Sequence, residues 1–149
     1  MASEFVLHIA GEKGTEAIPS FLADKLGSHA NCEEEDAASP VLVSVVGVSS
    51  RRRELISEAF GFVPTESVWF RLRSKERYSE GKTWVLRATM ALLGLTNGDA
   101  VLLYGEDIVL LRKAGRLVLN EQFSAWDRSH LNQLIGEAYE IRPLPSPLL

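Results

Sequence analysis

The chain has 149 residues, of which 46% are hydrophobic, and its formal net charge is −4 at pH 7. This length and composition are typical of one globular domain with its own core, so we interpret residues 1–149 as a single domain. The acidic balance argues against a general nucleic-acid binder, and a single cysteine, Cys32, excludes an internal disulfide.

The N-terminal part of the chain predicts a strand followed by a short helix. Residues 4–10 are rich in β-forming residues and place Phe5, Leu7 and Ile9 on one face. Glycines follow this strand, and residues 16–26 then carry an apolar stripe at helical spacing.

The segment 27–40 is the clearest predicted loop. It contains the acidic run Glu33, Glu34, Glu35 and Asp36 and ends in Ala-Ala-Ser-Pro. Residues 1–40 carry eight acidic and two basic side chains, a local balance of −6. We therefore expect a mobile acidic loop, which either forms a binding surface or is simply solvated.

The middle of the chain predicts strand, helix and strand. Residues 41–48 contain five valines and indicate a strand, and Ser49 is a suitable N-cap for a helix that ends before Gly61. Residues 67–73 alternate most regularly. One face of that strand carries Val68, Phe70 and Leu72, and the other carries Trp69, Arg71 and Arg73.

The C-terminal half predicts a long helix, three short strands and a last helix. The helix covers residues 79–95, and the strands cover 100–104, 108–112 and 116–120. The short links between these strands indicate hairpins and therefore an antiparallel meander. A helix over residues 127–138 and an extended, proline-rich tail from Arg142 follow.

The predicted fold is α+β. We expect a mostly antiparallel sheet of about six strands that ends in a C-terminal β-meander, with the helices packed mainly on one face. Such an arrangement leaves the other face of the sheet partly exposed to water.

The second face of the sheet is a candidate binding surface. Arg71 and Arg73 stand beside Trp69, and the cluster Arg51-Arg52-Arg53 lies earlier in the chain. Such a basic and aromatic surface can hold phosphates and stack a base, or it can meet an acidic protein. A solvated helix start beside a polar sheet face is the simpler explanation.

No motif in the sequence indicates catalysis, a metal or a cofactor. The chain has no G-x-S-x-G motif and no glycine-rich phosphate loop, and its three histidines are scattered. Asp99, Glu106 and Asp107 lie near turns and are ordinary turn residues. We therefore predict no enzyme activity and no cofactor. Because no signal peptide or membrane span is present, we also expect a cytoplasmic location.

Several apolar motifs resemble a known family. They are the segments 5–11 (FVLHIAG), 70–72 (FRL), 98–112 (GDAVLLYGEDIVLLR) and 117–120 (LVLN), with the aromatic pair Phe123 and Trp126. Together they are similar to Sit-type immunity proteins of bacterial polymorphic toxin systems. These motifs are strands and turns, and the segment 27–40 is not part of the resemblance.

The resemblance implies a non-enzymatic protein that binds and neutralises one cognate toxin. The expected partner is a protein, the cognate toxin. We expect the chain to be a monomer or homodimer and not to associate with a membrane. The expected partner-binding residues are Glu33, Glu34, Glu35, Asp36, Trp69, Arg71 and Arg73. The alternative is a nucleic-acid-binding module that uses the basic, aromatic sheet face.

Overall fold

The computed structural model describes residues 4–10, 41–72, 78–94, 98–105, 107–121 and 139–144. These residues form seven strands and two helices. In chain order they are β1 (Glu4–Ile9), β2 (Val41–Gly47), α1 (Ser50–Phe60), β3 (Glu66–Leu72), α2 (Tyr78–Leu93), β4 (Ala100–Tyr104), β5 (Asp107–Lys113), β6 (Arg116–Asn120) and β7 (Tyr139–Arg142).

The strands form one sheet in the order β2-β3-β1-β4-β5-β6-β7. Neighbouring strands are antiparallel, except that β6 and β7 run parallel. The N-terminal strand β1 therefore lies inside the sheet, between β3 and β4. Its Phe5 pairs with Phe70 on one side and with Tyr104 on the other.

One face of the sheet carries the larger core, and α2 packs over it, so we call it the α2 face. The alternating positions that the sequence predicts as apolar point to this face, including Phe5, Leu7, Val68 and Phe70. The Phe70 ring meets the Trp84 ring of α2 edge-on, with 6.1 Å between centroids. The burial of alternate strand residues against the apolar side of α2 stabilises this face of the fold.

Helix α2 approaches the sheet closely at Gly81. A Cβ atom added to Gly81 would lie 2.6 Å from Cδ2 of Leu72 and 3.6 Å from Cγ2 of Val41. No side chain fits in this space without displacing Leu72, which is itself buried. Glycine therefore sets the distance between the first turn of α2 and strands β2 and β3.

A buried arginine holds the other end of α2. Arg112 of β5 is 6% exposed and donates from Nη1 to the carbonyl oxygen of Leu93 (2.7 Å) and from Nε to that of Gly98 (2.9 Å). The last carbonyl groups of a helix have no partner within the helix, and the dipole there favours a cation. Arg112 thus has a structural role, in fixing α2 and the following turn to the meander.

The opposite face carries a smaller core that includes α1, so we call it the α1 face. Ile56 of α1 is fully buried and packs in a cluster with Val101, Leu103, Ile108 and Val118. Helix α1 begins where Ser49 Oγ accepts a hydrogen bond from the Arg52 amide (3.1 Å), as its sequence predicts. It ends at Gly61, which adopts φ 76°.

A buried asparagine fastens the segment after β7 to this smaller core. Asn120 donates to the carbonyl oxygens of Ile108 (2.7 Å) and Leu144 (3.1 Å) and accepts from the Leu144 amide (3.0 Å). Leu144 is buried in the same cluster as Ile56. The polar side chain is therefore fully used in holding two backbone segments together.

The predicted α+β class, the mostly antiparallel sheet and the β4–β6 meander are confirmed. The structure adds β7, which pairs with β6, where the sequence predicts only the end of a helix and an extended tail. The two described helices also pack on opposite faces rather than on one, because the apolar side of α1 meets the smaller core. The predicted helices at 16–26 and 127–138 and the acidic loop at 27–40 lie outside the described residues.

Candidate binding face

Two of the predicted partner-binding residues, Trp69 and Arg71, lie on β3 and point to the α1 face. The other five, Glu33, Glu34, Glu35, Asp36 and Arg73, lie outside the described residues. The predicted alternation of β3 is confirmed, since Val68, Phe70 and Leu72 are buried on the α2 face.

Helix α1 covers only part of its face and leaves a patch exposed over β1, β2 and β3. We call this area the Trp69 patch and define it as Glu4, Ser44, Val46, Trp69 and Arg71. Trp69 pairs with Ser44 on β2 and with Val6 on β1. Val46 is 42% exposed, which makes it one of two strongly exposed large hydrophobic residues in the described part of the chain.

The charges of the Trp69 patch are mixed. Arg71 Nε lies 3.8 Å from Glu4 Oε1, and both side chains are exposed. An exposed pair at this distance contributes little to stability, so both groups stay available to a partner. The carboxylate of Glu4 also repels phosphate, which makes the patch less suited to nucleic acid than the sequence of β3 alone indicates.

The basic end of α1 borders the Trp69 patch. The first turn of α1 contains Arg51, Arg52 and Arg53 and no acidic residue. Arg53 donates from Nη2 to the carbonyl oxygen of Val48 (3.1 Å), and Arg52 lies close enough to His8 to affect its pKa. Val48 follows Val46 of the patch by two residues, so the first turn of α1 begins close to the β2 edge of the Trp69 patch.

A buried histidine lies beneath this junction. His8 Nδ1 and Ser67 Oγ are 2.7 Å apart, and both residues are 2% exposed. Burial, and to a smaller extent the charge of Arg52, lower the pKa of His8 from 6.5 to about 4. A histidine and a serine in contact suggest a nucleophile, but no substrate reaches a pair so deeply buried. The pairing depends on the register of β1 and β3, so the sequence gives no signal for it.

A family model described as SitI3-like matches residues 3–130, which include β1 to β6 and both described helices. The chain belongs to the SitI3-like family. No curated protein and no solved structure matches the chain. Membership confirms the resemblance to Sit-type immunity proteins that the strand and turn motifs indicate.

In this SitI3-like protein, the acidic residue Asp99 has a structural role, as its sequence context predicts. Its Oδ1 accepts from the Ala114 amide (2.9 Å), and its Oδ2 lies 3.2 Å from Lys113 Nζ. Lys113 also donates to the carbonyl oxygen of Gly61 (2.7 Å). Asp99 therefore fixes the β5–β6 turn, where Ala114 and Gly115 both have positive φ angles.

In this SitI3-like protein, metal binding would need grouped ligand side chains, and a membrane span would need a long apolar helix. Within the described ranges, no three His, Cys, Asp or Glu side chains are grouped so that they could hold a metal ion. Neither α1 nor α2 offers an apolar run long enough to span a bilayer.

Proposed function

We propose that this SitI3-like protein is an immunity protein, which binds a cognate bacterial toxin and neutralises it without catalysing a reaction. The observation that carries the proposal is the family match over residues 3–130. We place the protein in the cytoplasm, where it would meet a toxin delivered into the cell.

The composition of the Trp69 patch supports binding to a protein. Tryptophan and arginine are the residues most enriched among those that dominate binding energy at protein interfaces. Trp69 is half-buried, so its ring is already held by the sheet and loses little freedom on binding. Val46 adds exposed apolar area beside it, and Arg71 supplies a charge at the rim.

The acidic run supplies a second proposed contact. Glu33, Glu34, Glu35 and Asp36 would attract a basic toxin surface and accelerate association. Trp69, Arg71 and Arg73 would then contact a different region of the same partner. The two sets of residues make separable contributions, because they differ in the sign of their charge.

The test is to express the products of the genes that adjoin this one, to find whether one is toxic, and to ask whether this chain protects cells against it. Expression of the toxin alone should stop growth, and co-expression of this chain should restore it. The purified proteins should form a one-to-one complex. If this chain neither binds nor neutralises any product of the adjoining genes, the proposed function is wrong.

Charge neutralisation tests the acidic contact. The quadruple variant Glu33→Gln, Glu34→Gln, Glu35→Gln and Asp36→Asn should slow association with the toxin and weaken its dependence on salt. The matched control neutralises four exposed acids of the described structure: Glu54, Glu58, Glu121 and Glu140. Equal effects of the two quadruple variants would mean that only net charge matters.

A further inference from the structure

The arginines at the start of α1 lie where the helix dipole disfavours positive charge. The N-terminal end of a helix carries partial positive charge, so acidic residues stabilise it and basic residues destabilise it. The first turn of α1 nevertheless contains Arg51, Arg52 and Arg53 and no acid. Each of these positive charges is therefore unfavourably placed at an exposed helix end.

Contacts within the described structure do not compensate for this arrangement. Arg53 makes one hydrogen bond to a backbone carbonyl. In the described part of the chain, the guanidinium groups of Arg51 and Arg52 have no acidic partner. Arg52 also contributes to keeping the buried His8 uncharged. Residues that are unfavourable for local stability, and that no contact within the protein compensates, are expected at functional sites.

The geometry places these arginines beside the Trp69 patch. Ser67 pairs with His8 and with Val46, and Trp69 is the next residue of β3 on the same face. Residues two apart on a strand are about 7 Å apart. Strand β2 leads from Val46 directly into α1, whose Arg53 bonds the carbonyl oxygen of Val48, whereas Arg71 lies beyond Trp69 toward the other end of β2. The α1 arginines and Arg71 therefore lie on either side of Trp69 and Val46.

We infer that this surface docks an acidic region of a protein partner, with Trp69 and Val46 contacting an apolar residue and Arg51, Arg52 and Arg71 contacting carboxylates around it. This inference rests on the proposed function, because it names the kind of toxin surface that is bound. The partner is a protein rather than a nucleic acid, because Glu4 lies in the patch 3.8 Å from Arg71 and because Val46 presents exposed apolar area.

Charge reversal tests the inference on the purified complex with the toxin that the co-expression test identifies. Arg51→Glu combined with Arg71→Glu should raise Kd about tenfold or more, with a smaller salt dependence than wild type. The matched control is Arg87→Glu combined with Arg116→Glu, which reverses two exposed arginines outside the surface. The control should leave Kd within about threefold. Thermal melts verify that both variants fold.

Truncation and rescue make the test specific. Trp69→Ala should weaken the complex by about tenfold or more, as for a central interface tryptophan. A Glu→Lys or Asp→Lys substitution in the toxin should restore binding to the double reversal variant. If the wild-type complex forms but reversal of Arg51 and Arg71 acts no more strongly than the control, the inference is wrong and the proposed function stands.

A second measurement does not depend on the toxin. In NMR titrations at low salt, a short peptide of alternating Glu and Leu should shift the Trp69 indole signal and the Nε signals of Arg51 and Arg71, and leave Arg87 and Arg116 unaffected. Uniform shifts at all arginines, or none at Trp69, would overturn the inference. Tighter binding of a short DNA duplex than of the peptide to the same residues would overturn it in favour of a nucleic-acid interface.

Discussion

The buried His8 gives a quantitative prediction for stability against pH. The imidazole has a pKa of about 4 in the folded protein and about 6.5 when unfolded. Between these values the unfolded state binds a proton that the folded state does not, so stability falls as pH decreases. At about 1.4 kcal/mol per pH unit, the gap corresponds to about 3 kcal/mol lost between pH 7 and pH 4.

The variant His8→Gln isolates this contribution. Glutamine does not titrate and keeps a polar group beside Ser67 Oγ. The free energy of unfolding of this variant should therefore lack the pH dependence that His8 contributes. Other groups titrate in the same range, and the pKa of Glu66, raised by burial, gives the opposite slope. The difference between wild type and variant, measured by urea unfolding at a series of pH values, should therefore change by about 3 kcal/mol.

Direct titration of the imidazole completes the test. Arg52→Gln should raise the pKa of His8, because the charge of Arg52 contributes to lowering it, whereas Arg51→Gln should leave it unchanged. Parallel pH profiles for wild type and His8→Gln, or an imidazole that titrates near 6.5 in the folded protein, would refute the reasoning.

Three further substitutions test the packing of the fold by urea unfolding. Gly81→Ala should lower the free energy of unfolding by about 1–2 kcal/mol, because the new methyl group collides with Leu72; Gly47→Ala, which meets open space, should change it by less than about 0.5 kcal/mol. Ala114→Asn should raise it by about 0.5–1 kcal/mol, since asparagine tolerates the positive φ of this hairpin turn better than alanine does. Asn120→Ala should lower it by about 2–4 kcal/mol by leaving buried backbone groups without partners. Unchanged stability of Asn120→Ala, higher stability of Gly81→Ala or lower stability of Ala114→Asn would each contradict the structural reason given for that substitution.

Much of the fold follows from local sequence signals. Alternation assigns the faces of β1 and β3, and the Lys113-Ala114-Gly115 turn predicts the β5–β6 hairpin. The order of the strands has no such local signal. That β3 is inserted between β1 and β2 depends on which apolar surfaces meet across long stretches of chain. The sequence does not indicate strand β7, because this strand has only four residues and all of them are half-buried or exposed.

The candidate site shows the same division. Alternation predicts that Trp69 and Arg71 share one face, and the arginine cluster is visible in the sequence. The sequence does not indicate that Glu4 stands beside Arg71, since that contact depends on the register of β1 against β3. Nor does it indicate that α1 brings its arginines to the edge of the same patch. Which charged side chains meet in the Trp69 patch is therefore decided by the topology of the sheet.

The central position of β1 has a consequence for how the chain folds. Among the described strands this one is synthesised first, yet its partners β3 and β4 begin about sixty and about one hundred residues later. Until β4 has been synthesised, β1 has at most one neighbour, and the β2-β3 pair cannot be joined to the meander. We therefore expect slow folding that is completed only late in synthesis, and a chain that loses both halves of its sheet together when β1 is displaced.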